Sequence, residues 1–478
     1  MEQMERNKRM EGHMKKTIVV LLMLAVVIGF CFAAGSQEAA APVQAEEAKE
    51  SHIPEGTPPQ SKYHLTFWTD MSGDSLICTQ DAAAAFNASQ DLYEMEVIYT
   101  GSILAKLLTS TPADRPNLFH SSANNSSRYI SMEGESRLYV PIQEFITHDN
   151  FDMSNVVKNL ATNYTRNGEW QCAPWGNTAV GYFFNTDILS AHGIDVESLK
   201  SYQEILEACR KLKAEGVEHP FFYRIHADYI NFALTAEGVD YFNKANGKEG
   251  VPTACLFNEG RCYEATLEFF RVLKQMAEED LLVDIQVGNT DARNMFGQGD
   301  IAIMGGYASG IDPTFKVTRE DVHFVFRPSP TVFKGTETHG QAPGGACIFL
   351  ADVDDPWKEY GSWLFLKFFM QDEWTSKFAM ASGYVPITMT GAQTPEYQEY
   401  VKTKNPSATA IMEAQNNTPV GVTFALLPYS TNYNTAFKNI FTKMVSTPDY
   451  SAEQATEDLY KETTDAIEMY FLEQGIVI

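Results

Sequence analysis

The chain has 478 residues, 44% of them hydrophobic and 12% aromatic. That is enough for a sizeable core and for two or three domains. Acidic residues number 62 against 36 basic, a net charge of −26, and a surface of that sign repels phosphate backbones and anionic membrane faces, so nucleic acid is set aside as a partner.

Lys15 and Lys16 precede an apolar run from Ile18 to Phe32, followed by small residues. This is the layout of a secretory signal peptide over 1–35, with Met14 as its start. Cys31 in "IGFC" stands where a lipidated cysteine would, but Phe30 is bulky where a small residue is expected. Cleavage within "CFAAGSQ" without lipid is the favoured reading, and it places the mature chain in the periplasm or at the cell surface. No other apolar run approaches the ~20 residues that a membrane-spanning helix needs. Residues 36–61 are rich in Ala, Glu and Pro, a composition that builds no core and reads as a disordered linker.

Structure is expected from "KYHLTFWTD" (62–70), which alternates as a half-buried strand does. A helix "DSLICTQDAAAAFNASQ", a strand "YEMEVIYTG", a helix "SILAKLLTS" and a strand "RPNLFHSS" follow. This β-α-β-α-β order predicts an α/β lobe on a largely parallel sheet. The stretch "GEWQCAPWGNTAVGYFFNTDILSAHGID" crowds Trp170, Trp175, Tyr182, Phe183 and Phe184 around a polar turn, Gly176–Thr178. Ala179–Phe184 reads as a strand. "SYQEILEACRKLKAEG" is an amphipathic helix with Gly216 as its cap, and "RCYEATLEFFRVLKQMAEEDLL" is a second helix. "ARNMFGQGDIAIMGGYASGID" reads as helix, buried strand and Gly-rich turn, and "GGACIFLAD" as a strand. Two helices and an extended exit fill Pro356–Thr388, and an acidic helical tail begins near Ser451.

The six cysteines beyond the signal form no C-x-x-C pair, so no metal site is expected. Cys255 and Cys262 flank "CLFNEGRC" and either close a small loop or stay free thiols. There is no G-x-S-x-G, H-E-x-x-H or P-loop, and no catalytic residue or cofactor is assigned.

Taken in order, "TFWTDMSG", "YTGSILAKLL", the Gly168–Leu189 stretch, "MFGQGDIAIMGGYASG", "GGACIFLADVDD" and "SGYVPIT" resemble the family 1 extracellular solute-binding proteins of ABC transporters. The similarity runs from about Lys62 to the C-terminus and is nearest the maltose-binding and glycerol-3-phosphate-binding group. The resemblance implies a periplasmic-binding-protein-like α/β fold: two lobes with mixed sheets, joined by crossover strands, with the ligand in the cleft between them. The N-terminal lobe would hold 62–176 plus 347–390, and the C-terminal lobe 177–346 plus 391–478. It also implies a monomer that hands a small carbohydrate or polyol to the transmembrane subunits of an ABC permease.

Sugars stack their C–H faces on aromatic rings, and their buried hydroxyls need hydrogen-bond partners. Candidate pairing groups are Asp70, Ser102, Asn177, Thr178, His226 and the backbone N–H of Gly344 and Gly345, and candidate platforms are Trp68, Trp175, Tyr229, Tyr307 and Tyr384. Asp70 follows the first strand, where open α/β sheets bind ligands. The resemblance places Tyr384 on a ligand-contacting tyrosine. The late arginine of the glycerol-phosphate binders is missing, because Val420–Asn434 holds no basic residue. Ile103 and Ala123 stand where those proteins have polar contacts. A neutral sugar, oligosaccharide or polyol is therefore expected, with glycerol-3-phosphate or another polyol phosphate as the alternative. Arg128, Arg137, Arg224 and Arg293 would reopen that alternative only if the fold carried one to the site. A secreted carbohydrate-active enzyme is the rival of another class.

Overall fold

The computed structural model describes residues 51–58, 61–132 and 136–476. The signal peptide read over 1–35, and residues 36–50 of the linker, lie outside them. The linker reading needs correction at its far end. Ser51 Oγ donates to Glu144 Oε1 at 2.8 Å, and His52 Nδ1 meets Glu359 Oε2 at 2.8 Å. The Glu359 side chain is only 1% exposed, and it also accepts the Val353 N–H. A buried carboxylate must be paired. His52 provides the pairing, and that hydrogen bond raises its pKa.

β1 (Tyr63–Thr69) buries Leu65, Phe67 and Thr69 on one face, as its alternation requires. β2 (Tyr93–Tyr99) and β3 (Leu118–Ser122) flank it in parallel. After β4 (Tyr139–Val140) and the small hairpin β5 (Thr165–Arg166) and β6 (Glu169–Trp170) come β7 (Ala173–Thr178) and β8 (Val180–Asn185). β9 (His219–Phe222), β10 (Ile301–Tyr307), β11 (Phe324–Pro328) and β12 (Gly344–Ala351) complete the strands. The first sheet has the order β2-β1-β3-β12-β4, with β7 paired to β12; the second has the order β11-β8-β10-β9. β12 runs antiparallel to β3, β4 and β7, so the sheet is mixed, as the resemblance implies, while β1, β2 and β3 keep the parallel pairing that their order predicts. β8 lies between β10 and β11 and is buried along its whole length. That explains its unbroken apolar and aromatic run.

The chain passes from the first sheet to the second at Ala179. This is just beyond the Gly176–Thr178 turn read from the sequence, because Asn177 and Thr178 still pair with Gly345 and Gly344 of β12. The helices Pro356–Phe369 and Asp372–Ser382 cover the first sheet, with Phe365 6.4 Å from Phe67 and Phe378 stacked 4.6 Å from Trp175. The helices Ser430–Ser446 and Ala452–Glu473 pack on the Gly260–Glu278 helix beside the second sheet, with Phe437 stacked 6.0 Å from Phe270. Buried Lys274 completes that corner by donating to the carbonyls of Met444, Thr447 and Pro448, at and just past the end of the Ser430–Ser446 helix. Cys255 and Cys262 are free buried thiols, as are the other four described cysteines.

Gly345 adopts φ +127°, and a Cβ there would stand 2.0 Å from the Gly176 carbonyl oxygen. Gly345→Ala is expected to lower stability by at least about 2 kcal/mol, measured by denaturant unfolding. An unchanged midpoint would show that the close β7–β12 approach relaxes freely.

Asp149 gives a second test. Burial pushes its carboxyl up, but Lys367, His148 and Trp363 outweigh burial and hold it at about 2. The folded value lies below the unfolded one, so the stabilisation is present above pH ~4 and is lost as pH falls toward 2. At pH 6 the wild type should exceed Asp149→Asn by roughly 2 kcal/mol, and the gap should close near pH 2. A gap that does not vary with pH would assign the stability to packing alone.

Candidate functional site

The candidates fall into three groups: the strands that join the sheets, the end of the first sheet, and the end of the second. At the junction, Asn177 is buried and its amide is already paired. Its Nδ2 donates to Gln415 Oε1 at 2.7 Å, and Gln415 Nε2 returns a bond to Asn177 Oδ1 at 2.9 Å. Gln415 Nε2 also reaches the Thr178 carbonyl at 3.1 Å. Asn177 therefore locks the junction instead of lining a cleft floor. Gly345 is the neighbouring strand partner of Asn177, and Val385 N–H donates to the Asn177 carbonyl at 2.8 Å. Thr178 is buried, and its Oγ1 accepts the Ser309 N–H at 3.2 Å.

At the end of the first sheet, the parallel pairing of β1 and β3 brings Asp70 beside His120. His120 Nδ1 lies 2.6 Å from Asp70 Oδ1, with the carboxylate side chain 56% exposed and the ring only 8%. That hydrogen bond holds the Asp70 carboxyl below its usual range. Tyr384 packs against Gly176, and burial pushes its hydroxyl up to about 12, with the Asp70 charge adding to the shift. Trp175 is 1% exposed, enclosed by Phe67, His120, Phe369 and Phe378. The expected platform is thus a core residue. Trp68 is half-buried under Lys106, and Ser102 is exposed at the start of the Ile103–Leu108 helix with a left-handed φ of 56°. Among the described residues, no hydrogen bond draws Ser102 toward the other candidates.

At the end of the second sheet, Tyr307 O–H donates to Asp228 Oδ2 at 2.6 Å, and His226 Nδ1 lies 3.3 Å from the same oxygen. Tyr229 is 0% exposed, packed among Tyr182 and Tyr223, so it too is core instead of a platform. A cavity of about 120 Å³ opens here, lined by Phe183, Phe222, Arg224, Arg293, Tyr307 and Ser309 among others. The Arg224 guanidinium lies over the Tyr307 ring at 4.5 Å. Gly383 closes on Ser309, whose carbonyl oxygen would be 3.1 Å from a Cβ added at that glycine. This loop of the second sheet thus touches both Thr178 and Gly383 across the junction.

The sequence reading missed Gln415 and His120. Gln415 was not singled out, since only the fold places it on Asn177. His120 was legible, because it sits near the end of the expected strand "RPNLFHSS", where open α/β sheets bind ligands. The arginine reading needs a larger correction. Arg128 hydrogen-bonds weakly to Thr431, and Arg137 lies over Tyr139, but Arg224 and Arg293 share the cavity with Tyr307. The missing late arginine therefore does not leave the site without cations. Ile103 and Ala123 are buried core residues.

Among known proteins, the sequence profile of the family described as "Bacterial extracellular solute-binding protein" matches residues 81–405. The sn-glycerol-3-phosphate-binding periplasmic protein UgpB of Rhizobium meliloti is 23% identical over 389 residues, covering 77% of this chain and 86% of the relative. UgpB of Salmonella typhimurium is 22% identical over 364 residues, covering 74% and 81%. The solved cyclic α-maltosyl-1,6-maltose binding protein of Arthrobacter globiformis superposes with TM-score 0.69 at 16% identity, covering 85% of this chain and 99% of its own. UgpB of Mycobacterium tuberculosis, solved with glycerophosphocholine, gives 0.68 at 16% identity, covering 87% and 100%. These similarities establish the periplasmic-binding-protein-like fold, with two mixed α/β lobes joined by crossover strands.

If His120 holds the Asp70 carboxyl down, His120→Phe should return Asp70 toward its ordinary pKa, followed by carbon NMR of the carboxyl. The stabilisation from this pair exists above the normal carboxylate range and fades as pH falls through the lowered value. An Asp70 titration identical in both proteins would remove His120 from the account.

Proposed function

This chain belongs to the bacterial extracellular solute-binding proteins, and on that premise we propose that it is the extracytoplasmic binding subunit of an ABC importer for a small carbohydrate or polyol-type ligand. The family is one of solute-binding proteins, not of catalytic domains, which sets aside the carbohydrate-active enzyme. The observation that carries the ligand reading is the meeting of Thr178, Ser309 and Gly383 at the junction of two sheets, next to the cavity under Tyr307. Two lobes hinged at such a junction close over a ligand, and a polar ligand fits because Tyr307, Ser309, Arg224 and Arg293 present hydrogen-bonding groups there.

In this proposal the first lobe is built on the β1–β4 sheet with β7 and β12, and the second on β8–β11. The helices from 430 onward go with the second lobe. Of the sequence candidates, Asp70, Thr178, His226, Tyr307 and Tyr384 remain as ligand-facing groups. Asn177 and Gly345 act through the junction, and Trp175 and Tyr229 through the core. The permease is the partner for delivery, and the protein works as a monomer in the periplasm or at the cell surface.

A ligand that binds the native state alone raises the melting temperature. Thermal unfolding against a panel of sugars, polyols and their phosphates should give a concentration-dependent rise for at least one member, and that ligand should be recovered chemically unchanged after incubation. A panel without any shift would overturn the carbohydrate and polyol reading. Cleaved products would overturn the assignment as a carrier.

A further inference from the structure

Arg224 and Arg293 are unlike the other described arginines. Each of the others forms an ion pair or donates to an oxygen: Arg115 and Arg166 to carbonyls, Arg210, Arg261, Arg271, Arg319 and Arg327 to carboxylates, Arg128 to Thr431 and Arg137 to the Met132 carbonyl. Among the described residues, the Arg224 and Arg293 side chains form no hydrogen bond and no ion pair, although the chain carries 62 acidic side chains. Both are half-buried, and both line the same cavity of about 120 Å³. They come from different elements. Arg224 lies just past the end of β9, and Arg293 lies within the Asn289–Gln298 helix.

Two guanidinium groups in one partly dry pocket repel each other, and they carry ten N–H donors between them. Burial lowers the pKa of Arg293, and the charge of Arg224 lowers it further. The nearby Asp228 carboxylate accepts from Tyr307 and faces His226. Tyr307 fixes the Arg224 plane by lying under it. Such an arrangement is favourable once an oxyanion bridges the two cations, because planar guanidinium forks match phosphate and carboxylate oxygens. The surrounding wall offers the Ser309 side chain and the backbone of Gly305 and Gly306.

We propose that Arg224 and Arg293 form an anion subsite, so that the sugar or polyol carried by this protein bears a phosphate or carboxylate group. This rests on the solute-binding reading above and replaces the neutral ligand expected from sequence. In this proposal the charge that Val420–Asn434 lacks comes from just past β9 and from the helix before β10.

The test is calorimetry with matched ligands: glycerol and glycerol-3-phosphate, a neutral hexose, its phosphate and its uronic acid, with inorganic phosphate as the minimal probe. At least one anionic member should bind tenfold or more tightly than its neutral parent, and its affinity should fall as salt rises. Arg224→Gln and Arg293→Gln should each weaken it by about tenfold or more, while the melting temperature without ligand stays level or rises as the repulsion is relieved. Preference for the phosphates or for the uronic acid identifies the oxyanion, and both outcomes support the subsite. If either variant fails to fold, the salt dependence and the phosphate-induced thermal shift of the wild type decide. Neutral parents that bind as well as their acids, with variants equal to wild type, would overturn the subsite and leave the solute-binding reading intact. No binding by any sugar, polyol or acid would overturn both.

Discussion

The reciprocal amide pair between Asn177 and Gln415 sits where the chain leaves one sheet for the other. A buried amide with its partners in place is retained at little cost, while breaking it leaves desolvated donors and acceptors behind. The pair does not stand alone. Asn159 Nδ2 donates to the carbonyls of Gln415 and Thr418, Asn163 Nδ2 donates to the Pro343 carbonyl, and Gln341 N–H donates to Thr418 Oγ1. These bonds tie the entry to β12, the end of β7 and the Ser407–Asn416 helix into one polar knot. Thr178, Ser309, Gly383 and Tyr384 take their places from it. The proposed hinge is thus held by directional bonds, which specify register, more than by apolar contact, which tolerates sliding.

Electrostatics act on a different scale from this knot. The body as a whole is strongly acidic, yet the cavity under Tyr307 gathers two cations. A small anion approaching the strongly acidic body meets net repulsion, yet attraction at this concave place, where low-dielectric walls concentrate the field. Overall charge therefore says little about the charge of the ligand. The acidic surface governs solubility and macromolecular partners, and the pocket answers to its own few residues.

Much of the architecture was legible from pattern. The alternation of "YHLTFWT", the amphipathic "YQEILEACRKLKA" and the apolar "IAIMGGY" each became the element that its period implied. The site was less legible because periodicity does not separate a ring that faces solvent from one that faces core. Trp175 lies in a strand buried on both sides, and its neighbours Phe67 and Phe378 come from remote segments. Asn177 looked like a free polar group in a turn until the fold placed Gln415 opposite it. Arg224 and Arg293 share no local motif, and their convergence depends on the helix before β10 packing beside the end of β9. By contrast, the Asp70–His120 contact needed only the adjacency of two parallel strands.

The described cysteines have a practical side. All six are buried, and desolvation pushes the Cys78 thiol up to about 12, Cys255 to about 11 and Cys262 to about 12. The thiolate is the nucleophilic form, so these sulfurs stay inert toward soluble alkylating dyes while the chain is folded. A cysteine introduced at an exposed position on either side of the junction would be labelled selectively, without first removing the native thiols. Two such positions, carrying donor and acceptor fluorophores, would convert the angle between the sheets into an optical signal.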